Sequence, residues 1–352
     1  MKEASLEGCI LGTAVGDALG LPYEGMSSGR ARKLLGTPDR FRFLLGKGMV
    51  SDDTEHTCIV AQSLIVSGGD AEGFLKALSV RFRRWFVLLP AGVGMATARA
   101  CIRLLLGYSA KTSGLWSAGN GPAMRSAILG AYFDHWSEIQ EFVRLNTRIT
   151  HTDPKAEMGA LAIAIAARLA REDRQIEADE YVAQVIDLIA GQLESVELIP
   201  LLEKVSESIH RGESTAALAQ SLNLGQRVGG YVYHCVPVVL HCWLSHQTDF
   251  RNALITIIEC GGDTDTNAAM VGGIVGARVG REGIPVDWLD GIWEWPMTVE
   301  RMKTLAAQLA DTKISGKSIR PTSTSALAIL PRNLLFLMVV LFHGFRRLLP
   351  PY

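Results

Sequence analysis

Apolar residues recur at three- and four-residue steps along most of this chain, the spacing that lines one face of an α-helix. The pattern predicts helices over Leu6–Leu19, Thr57–Val66, Ala156–Leu169, Tyr181–Ile189 and Ala253–Ile258. Alternating β-branched runs are scarce, so the expected fold class is all-α. Gly8, Gly12 and Gly16 repeat every four residues, and so do Gly272, Gly276 and Gly280. Glycine inside a helix costs roughly 1 kcal/mol against alanine, so repeated use predicts helices that cross with their backbones close together. Asp17, Glu24, Arg278 and Arg281 interrupt these stretches and argue against membrane helices there.

The pattern changes toward the C-terminus. Residues 1–311 read as one catalytic-sized domain, and 312–325 as a polar, basic linker. Residues 326–352 form an apolar tail in which Pro331-Arg332-Asn333 breaks the run before Leu334–Phe342. Nine apolar residues as helix span ~14 Å, about half of a ~30 Å hydrocarbon core. The tail therefore either lies in the plane of a membrane surface, with Arg346 and Arg347 at the headgroups, or docks on protein. A third reading is an extension without function.

Composition narrows the class. Hydrophobic content is 48%, charged content 20% and formal net charge −1, which leaves no electrostatic footprint for nucleic acid. Cys9, Cys58, Cys101, Cys235, Cys242 and Cys260 are scattered without a C-x-x-C pair. Most fall in apolar helical patterns, so free buried thiols in a reducing compartment are expected. The first residues lack a basic-then-apolar leader, and the catalytic portion reads as cytoplasmic, with membrane association through 326–352 as the variant. Nothing in the sequence sets an oligomeric state.

Two acidic clusters carry the chemistry: Ser51-Asp52-Asp53-Thr54 after Gly46-Lys47-Gly48, and Asp263-Thr264-Asp265-Thr266 after Gly261-Gly262. Carboxylates with adjacent hydroxyls behind a glycine bend form an oxygen-only site for hard cations, Mg²⁺ or Mn²⁺, whereas zinc usually brings His or Cys. Four carboxylates exceed what one loosely held Mg²⁺ needs, which points to two cations. Each cluster alone could simply cap a helix, and the two roles are compatible. Both clusters are expected at helix starts near the surface. Glu24 enters a loop at the end of the first helix, Gly92-Val93-Gly94 and Gly119-Asn120-Gly121-Pro122 are turns, and His151 lies just before a helix that Pro154 can start. His234, Cys235, His241, Cys242 and His246 form a second cluster. Pro237 is expected to start the helix after His234, so this run reads as core and not as a zinc or copper site.

Together, these segments resemble the ADP-ribosylglycohydrolase family. Five ordered motifs carry the resemblance from about Leu6 to about Trp295: G-D-A-L-G-x-P-x-E at 16–24, S-D-D-T at 51–54, G-N-G-x-x-M-R at 119–125, T-H-x-x-P at 150–154 and G-G-D-T-D-T-N at 261–267. The resemblance implies a compact, orthogonal multi-helix domain with a binuclear Mg²⁺ or Mn²⁺ centre. Ser51, Asp52, Asp53, Asp263, Asp265 and Thr266 would be ligands. Glu24 would touch a metal or its water and, with Asp53, serve in catalysis. Gly119, Asn120, Gly121, Met124 and Arg125 would hold the diphosphate and ribose, with His151 in the substrate pocket. Ser51 stands where many members have Thr, keeping the hydroxyl. His56, where an apolar residue is expected, is taken to line the helix face behind the metals.

The implied reaction is hydrolysis at C1″ of ADP-ribose attached to a protein side chain or small acceptor. A rival enzyme reading substitutes another ADP-ribosyl or nucleoside-type glycoside. A third, from another class, is a non-catalytic crystallin-like or binding relative. Every matched ligand here keeps an oxygen donor, which counts against that one. No Ser–His–Asp set of suitable spacing requires a covalent serine mechanism.

Overall fold

The computed structural model describes residues 2–172, 174–193 and 195–350. Helices dominate, and among the described residues β-structure is limited to isolated bridges such as Leu115–His151 and Val228–Gly262. Six helices organise the site: α1 (Lys2–Gly20), α2 (Asp52–Ser67), α3 (Pro154–Ala170), α4 (Thr264–Val279), α5 (Val299–Ser315) and α6 (Ala326–Arg346). All five helices expected from periodicity form, the remaining two within Ala178–Ile189 and Phe250–Glu259.

The centre of the molecule is the crossing of α1 and α4, and the two glycine series create it. A Cβ placed on Gly8, Gly12 or Gly16 would stand 2.0, 2.1 and 2.1 Å from the carbonyl oxygens of Gly276, Gly272 and Ala268. No side chain fits there, so backbone packs on backbone. The adjoining positions Leu6, Ile10, Leu11, Ile274 and Val275 are fully buried, each adding about 1.5–3 kcal/mol of apolar burial. Because Asp17 sits near the end of α1 and Asp265 at the start of α4, this crossing fixes the site's geometry.

Caps set the helix starts. Ser51 precedes α2 and its hydroxyl accepts from the Asp53 N–H, while Asp153 caps α3 with Pro154 at its first turn. Two boundaries differ from the sequence reading. Pro237 lies inside a helix that begins at Val232, because buried Val236, Pro237 and Val238 pack in the core and override the local break. α5 continues to Ser315, where Gly316 (φ 64°) ends it, so only 316–325 is extended. That stretch is tied down: Ser318 donates to the Val66 carbonyl and Gln62 to the Thr322 carbonyl.

The tail differs more. Pro331-Arg332-Asn333 does not break it, and α6 runs continuously through these residues. Arg332 and Asn333 face inward and are buried in polar contacts with the domain, which holds the helix across the proline. Phe336 and Val339 pack with Leu21, Phe43 and Met49. The inner face of the tail is thus docked on the catalytic domain, while Leu327, Leu334, Leu337, Met338, Leu341 and Phe342 face solvent.

Candidate active site

Chain geometry gathers the acidic residues. After α1, a short 3₁₀ turn (Leu21–Tyr23) delivers Glu24 to a loop stitched onto the second cluster. The Gly25 N–H donates to the Gly262 carbonyl (2.6 Å), and the Gly262 N–H donates to the Met26 carbonyl (2.8 Å). Gly261 and Gly262 have φ of 70° and 88°, and a Cβ on Gly262 would meet the Val228 carbonyl oxygen at 2.4 Å. Glycine is therefore required at this bend. The result is that Glu24, Asp263 and Asp265 each offer a carboxylate oxygen, all within 4.8 Å of one another.

The first cluster closes the other side. Asp17, fully buried on α1, accepts from the Ser51 N–H (2.8 and 3.0 Å), the Thr54 N–H (3.2 Å) and the Thr54 hydroxyl (2.5 Å). It anchors the start of α2 against α1. Asp53 Oδ2 accepts from the Ser51 hydroxyl (3.0 Å) and from the Thr266 hydroxyl (3.3 Å), which brings the two clusters into contact. Asp17 did not stand out as a site residue in the sequence, although it lies in the G-D-A-L-G motif. Its acidic character in a largely apolar helix was the available signal.

Two buried oxygens, Asp53 Oδ1 and Asp265 Oδ1, have no hydrogen-bond partner. Burial without a partner disfavours a charged oxygen strongly, so each calls for a cation or a proton. Burial, then the neighbouring carboxylates, hold Asp52, Asp53 and Asp265 well above the usual carboxylate range. Burial pushes Asp17 up to about 6 despite its hydrogen bonds from Thr54 and Ser51. Glu24 is exposed to solvent. Its carboxyl is raised by protein packed around it and by Asp263 and Asp17, and Arg347 acts in the opposite direction. This donor set, hard oxygens crowded beyond mutual tolerance, fits divalent cations of the Mg²⁺ or Mn²⁺ type. Asp53 and Asp265 lie deeper than expected, at 1% and 5% exposure, because the α1–α4 crossing draws both helix starts inward.

The glycine loop adjoins the same centre. Asn120 Nδ2 donates to Asp263 Oδ2 at 2.7 Å, and its N–H donates to the Gly230 carbonyl at 2.9 Å. Cβ atoms on Gly119 and Gly121 would stand 3.2 and 3.1 Å from the His151 ring, so the loop lies directly on that imidazole. His151 Nδ1 pairs with the Thr150 hydroxyl (2.9 Å), and burial drives its pKa down to about 3, leaving the ring neutral. Met124 and Arg125 do not face the cleft. Met124 packs in the core, and Arg125 is fully buried, bonded to Asn146, Thr150 and the Gly121 carbonyl. Both lie beneath the loop, which Arg125 holds through the Gly121 carbonyl. His56, also fully buried, touches Arg125 and sits edge-on to Phe82 and Trp85, behind α2's acidic start.

The histidine–cysteine residues do not converge: Cys235, His241 and Cys242 are buried, whereas His234 is exposed and His246 half-buried, and among the described residues only Glu24, Asp263 and Asp265 gather as metal-type ligands. His241 uses one ring nitrogen on Ser208 (3.2 Å) and the other on Thr215 (3.1 Å), leaving no lone pair for a metal. All six cysteines are buried and free.

The chain is similar over most of its length to proteins of one family. Residues 2–318 match the family model described as ADP-ribosylglycohydrolase. The chain is 28% identical over 310 residues to the ADP-ribosyl-[dinitrogen reductase] glycohydrolase of Rhodospirillum rubrum, covering 84% of this chain and 91% of that protein. It is 26% identical over 336 residues to the ADP-ribosylhydrolase ARH3 of Gallus gallus, covering 81% and 88%. A solved structure described as an ADP-ribosylglycohydrolase-related protein complex superposes with a TM-score of 0.68 at 26% identity, covering 89% of this chain and 99% of that one.

Proposed function

The chain belongs to the ADP-ribosylglycohydrolase family and is a glycosyl hydrolase, and we propose that it cleaves the C1″ bond of ADP-ribose carried by a protein side chain or small acceptor, with divalent cations bound. The observation that carries the cation part is the convergence of Glu24, Asp263 and Asp265 within 4.8 Å, beside the unpartnered Asp53 Oδ1 and Asp265 Oδ1. Ser51, Asp52, Asp53, Asp263, Asp265 and Thr266 would hold two cations, with Glu24 at their edge. Mg²⁺ or Mn²⁺ bound by these residues would supply positive charge to offset the carboxylates and to acidify a water.

The chain's own residues divide the remaining work. Glu24, the most solvent-open acid of the group, orients the attacking water and accepts its proton. Asp53 keeps Ser51 and Thr266 aligned through its Oδ2. Asn120 ties the glycine loop to Asp263, so a diphosphate lying on that loop is registered against the acidic centre. Neutral His151 backs the loop without adding charge. Six free buried thiols support a reducing, cytoplasmic setting.

The test is hydrolysis of ADP-ribosyl-arginine, ADP-ribosyl-serine and O-acetyl-ADP-ribose with and without Mg²⁺ or Mn²⁺. Turnover of at least one substrate, lost with chelator and depressed in Glu24→Gln with affinity retained, is expected. Cation-independent turnover would remove the metal part of the proposal. No turnover, with no divalent binding, would favour a silent relative.

A further inference from the structure

The C-terminal helix α6 lies outside the family match, which ends at residue 318, yet its inner face reaches both walls of the acidic centre. Arg332, 3% exposed, donates to both oxygens of Glu294 (2.9 and 2.7 Å) and to Glu55 Oε1 (3.0 Å). It also donates to the Val50 carbonyl, while Glu294 Oε2 accepts from the Val50 N–H at 3.2 Å. Val50 is therefore gripped at both its backbone groups, one residue before Ser51. Glu55 belongs to the first turn of α2, with Asp52 and Asp53. A single buried guanidinium thus ties the tail to the segment leading into the first cluster and to the helix that follows it.

Farther along, Arg347 straddles Glu24. Its Nη2 donates to the Pro22 carbonyl (3.1 Å), two residues before, and its Nη1 stands 3.9 Å from where a Cβ on Gly25 would be, one residue after. Its own carbonyl accepts from Arg30. The charges of Glu24 and Asp265 act on it directly, against the effect of burial. Between the two arginines, the His343 ring stacks on Phe43 at 5.4 Å and its Nε2 meets the Phe43 carbonyl at 2.7 Å. The helix is fastened at three points along its length, and the outer two fall beside candidate metal ligands.

We infer that α6 is a working part of the active site: Arg347 and Arg332 are positioning residues that hold the Glu24 loop and the Ser51–Asp53 segment in register across the cleft. This rests on the proposed hydrolytic site and extends it to residues beyond the family-like region. An appended helix with a purely structural role would need only the apolar contacts of Phe336 and Val339. Fixing two backbone segments with buried guanidinium groups adds specificity of placement.

The test uses full-length protein and four variants: Arg347→Gln, Arg347→Lys, Arg332→Lys and, on the solvent face, Leu341→Ser. Three quantities are read well below the melting temperature: Mg²⁺ and Mn²⁺ affinity by calorimetry, kcat and KM on the best substrate, and melting temperature itself. Misplacement of catalytic groups by about 1 Å costs up to ~100-fold, so Arg347→Gln is expected to lower kcat ~10-fold or more with KM within about threefold. Arg347→Lys, which keeps a donor and the charge, restores part of that loss. Arg332→Lys cannot span Glu294, Glu55 and Val50 together and is expected to weaken cation affinity ~10-fold. Leu341→Ser changes none of the three. If Arg347→Gln and Arg332→Lys are folded and lower only the melting temperature, the inference is wrong and α6 is a packing element. The cation titration needs no substrate, so it tests Arg332 even if wild-type protein turns over none of the panel, an outcome that would count against the hydrolytic reading alone.

Discussion

Thr266 donates its hydroxyl to Asp53 Oδ2 at 3.3 Å, a bond between residues 213 positions apart that makes one centre of two acidic clusters. A hydrogen bond to a charged acceptor contributes about 1.5–3 kcal/mol, and about 1.4 kcal/mol is tenfold in affinity. Thr266→Ala is therefore expected to weaken divalent-cation binding roughly tenfold or more, whereas Thr266→Ser stays near wild type. Calorimetric titration of both variants with Mn²⁺ checks this.

Asp53 and Asp265 should behave unlike ordinary buried residues. Without a cation, burial and like charge disfavour the ionised form of each, so a neutral amide in its place costs the metal-free protein little or relieves it. Asp53→Asn is expected to melt in chelator no lower than wild type, because the form it replaces is the disfavoured one. Added Mg²⁺, which stabilises wild type by binding the folded state, should no longer do so. Thermal scans with EDTA and with excess Mg²⁺ separate the two effects. A variant less stable than wild type in EDTA would contradict the assignment.

Cation binding should release protons. Asp52, Asp53 and Asp265 are raised well above the usual range and Asp17 to about 6, so these carboxyls retain protons at pH values where free carboxylates have none. A cation binds the ionised form and displaces those protons. The sign follows: apparent affinity falls as pH drops through the raised pKa values and rises as pH increases. Titrations at pH 6 in buffers of different ionisation enthalpy will register the released protons as a buffer-dependent heat.

Much of this was legible in the sequence, and the rest depended on contacts a sequence does not display. Helix periodicity and the glycine series predicted close, glycine-lined crossings because both follow from local spacing and a missing Cβ, but not that α1 and α4 are the pair that cross. The two clusters and Glu24 stood out because carboxylates beside glycine are chemically conspicuous. Asp17 did not, since its role is to accept from Ser51 and Thr54, thirty-four and thirty-seven positions away. Arg125 looked like a ligand contact in its motif but spends its donors on Asn146, Thr150 and Gly121. The Pro331-Arg332-Asn333 segment looked like a break because Glu294 and Glu55, its partners, are remote in sequence.

The glycine crossing gives a prediction of opposite signs for one type of change. In Gly12→Ala the new methyl would lie 2.1 Å from the Gly272 carbonyl oxygen, a backbone atom that cannot swing aside. The helices must separate, at about 3 kcal/mol, far more than the ~1 kcal/mol of helix propensity that alanine adds. Gly344→Ala, in α6 with no atom within 4 Å of its Cβ, meets nothing and should stabilise by about 0.5–1 kcal/mol. Because α1 carries Asp17 and α4 carries Asp265, separation at Gly12 also spreads the acidic centre. Gly12→Ala should therefore lose cation affinity even at temperatures where it remains folded, while Gly344→Ala keeps it. Denaturant melts paired with Mn²⁺ titrations decide the matter, and equal affinity in a folded Gly12→Ala protein would show that the crossing does not set the site's geometry.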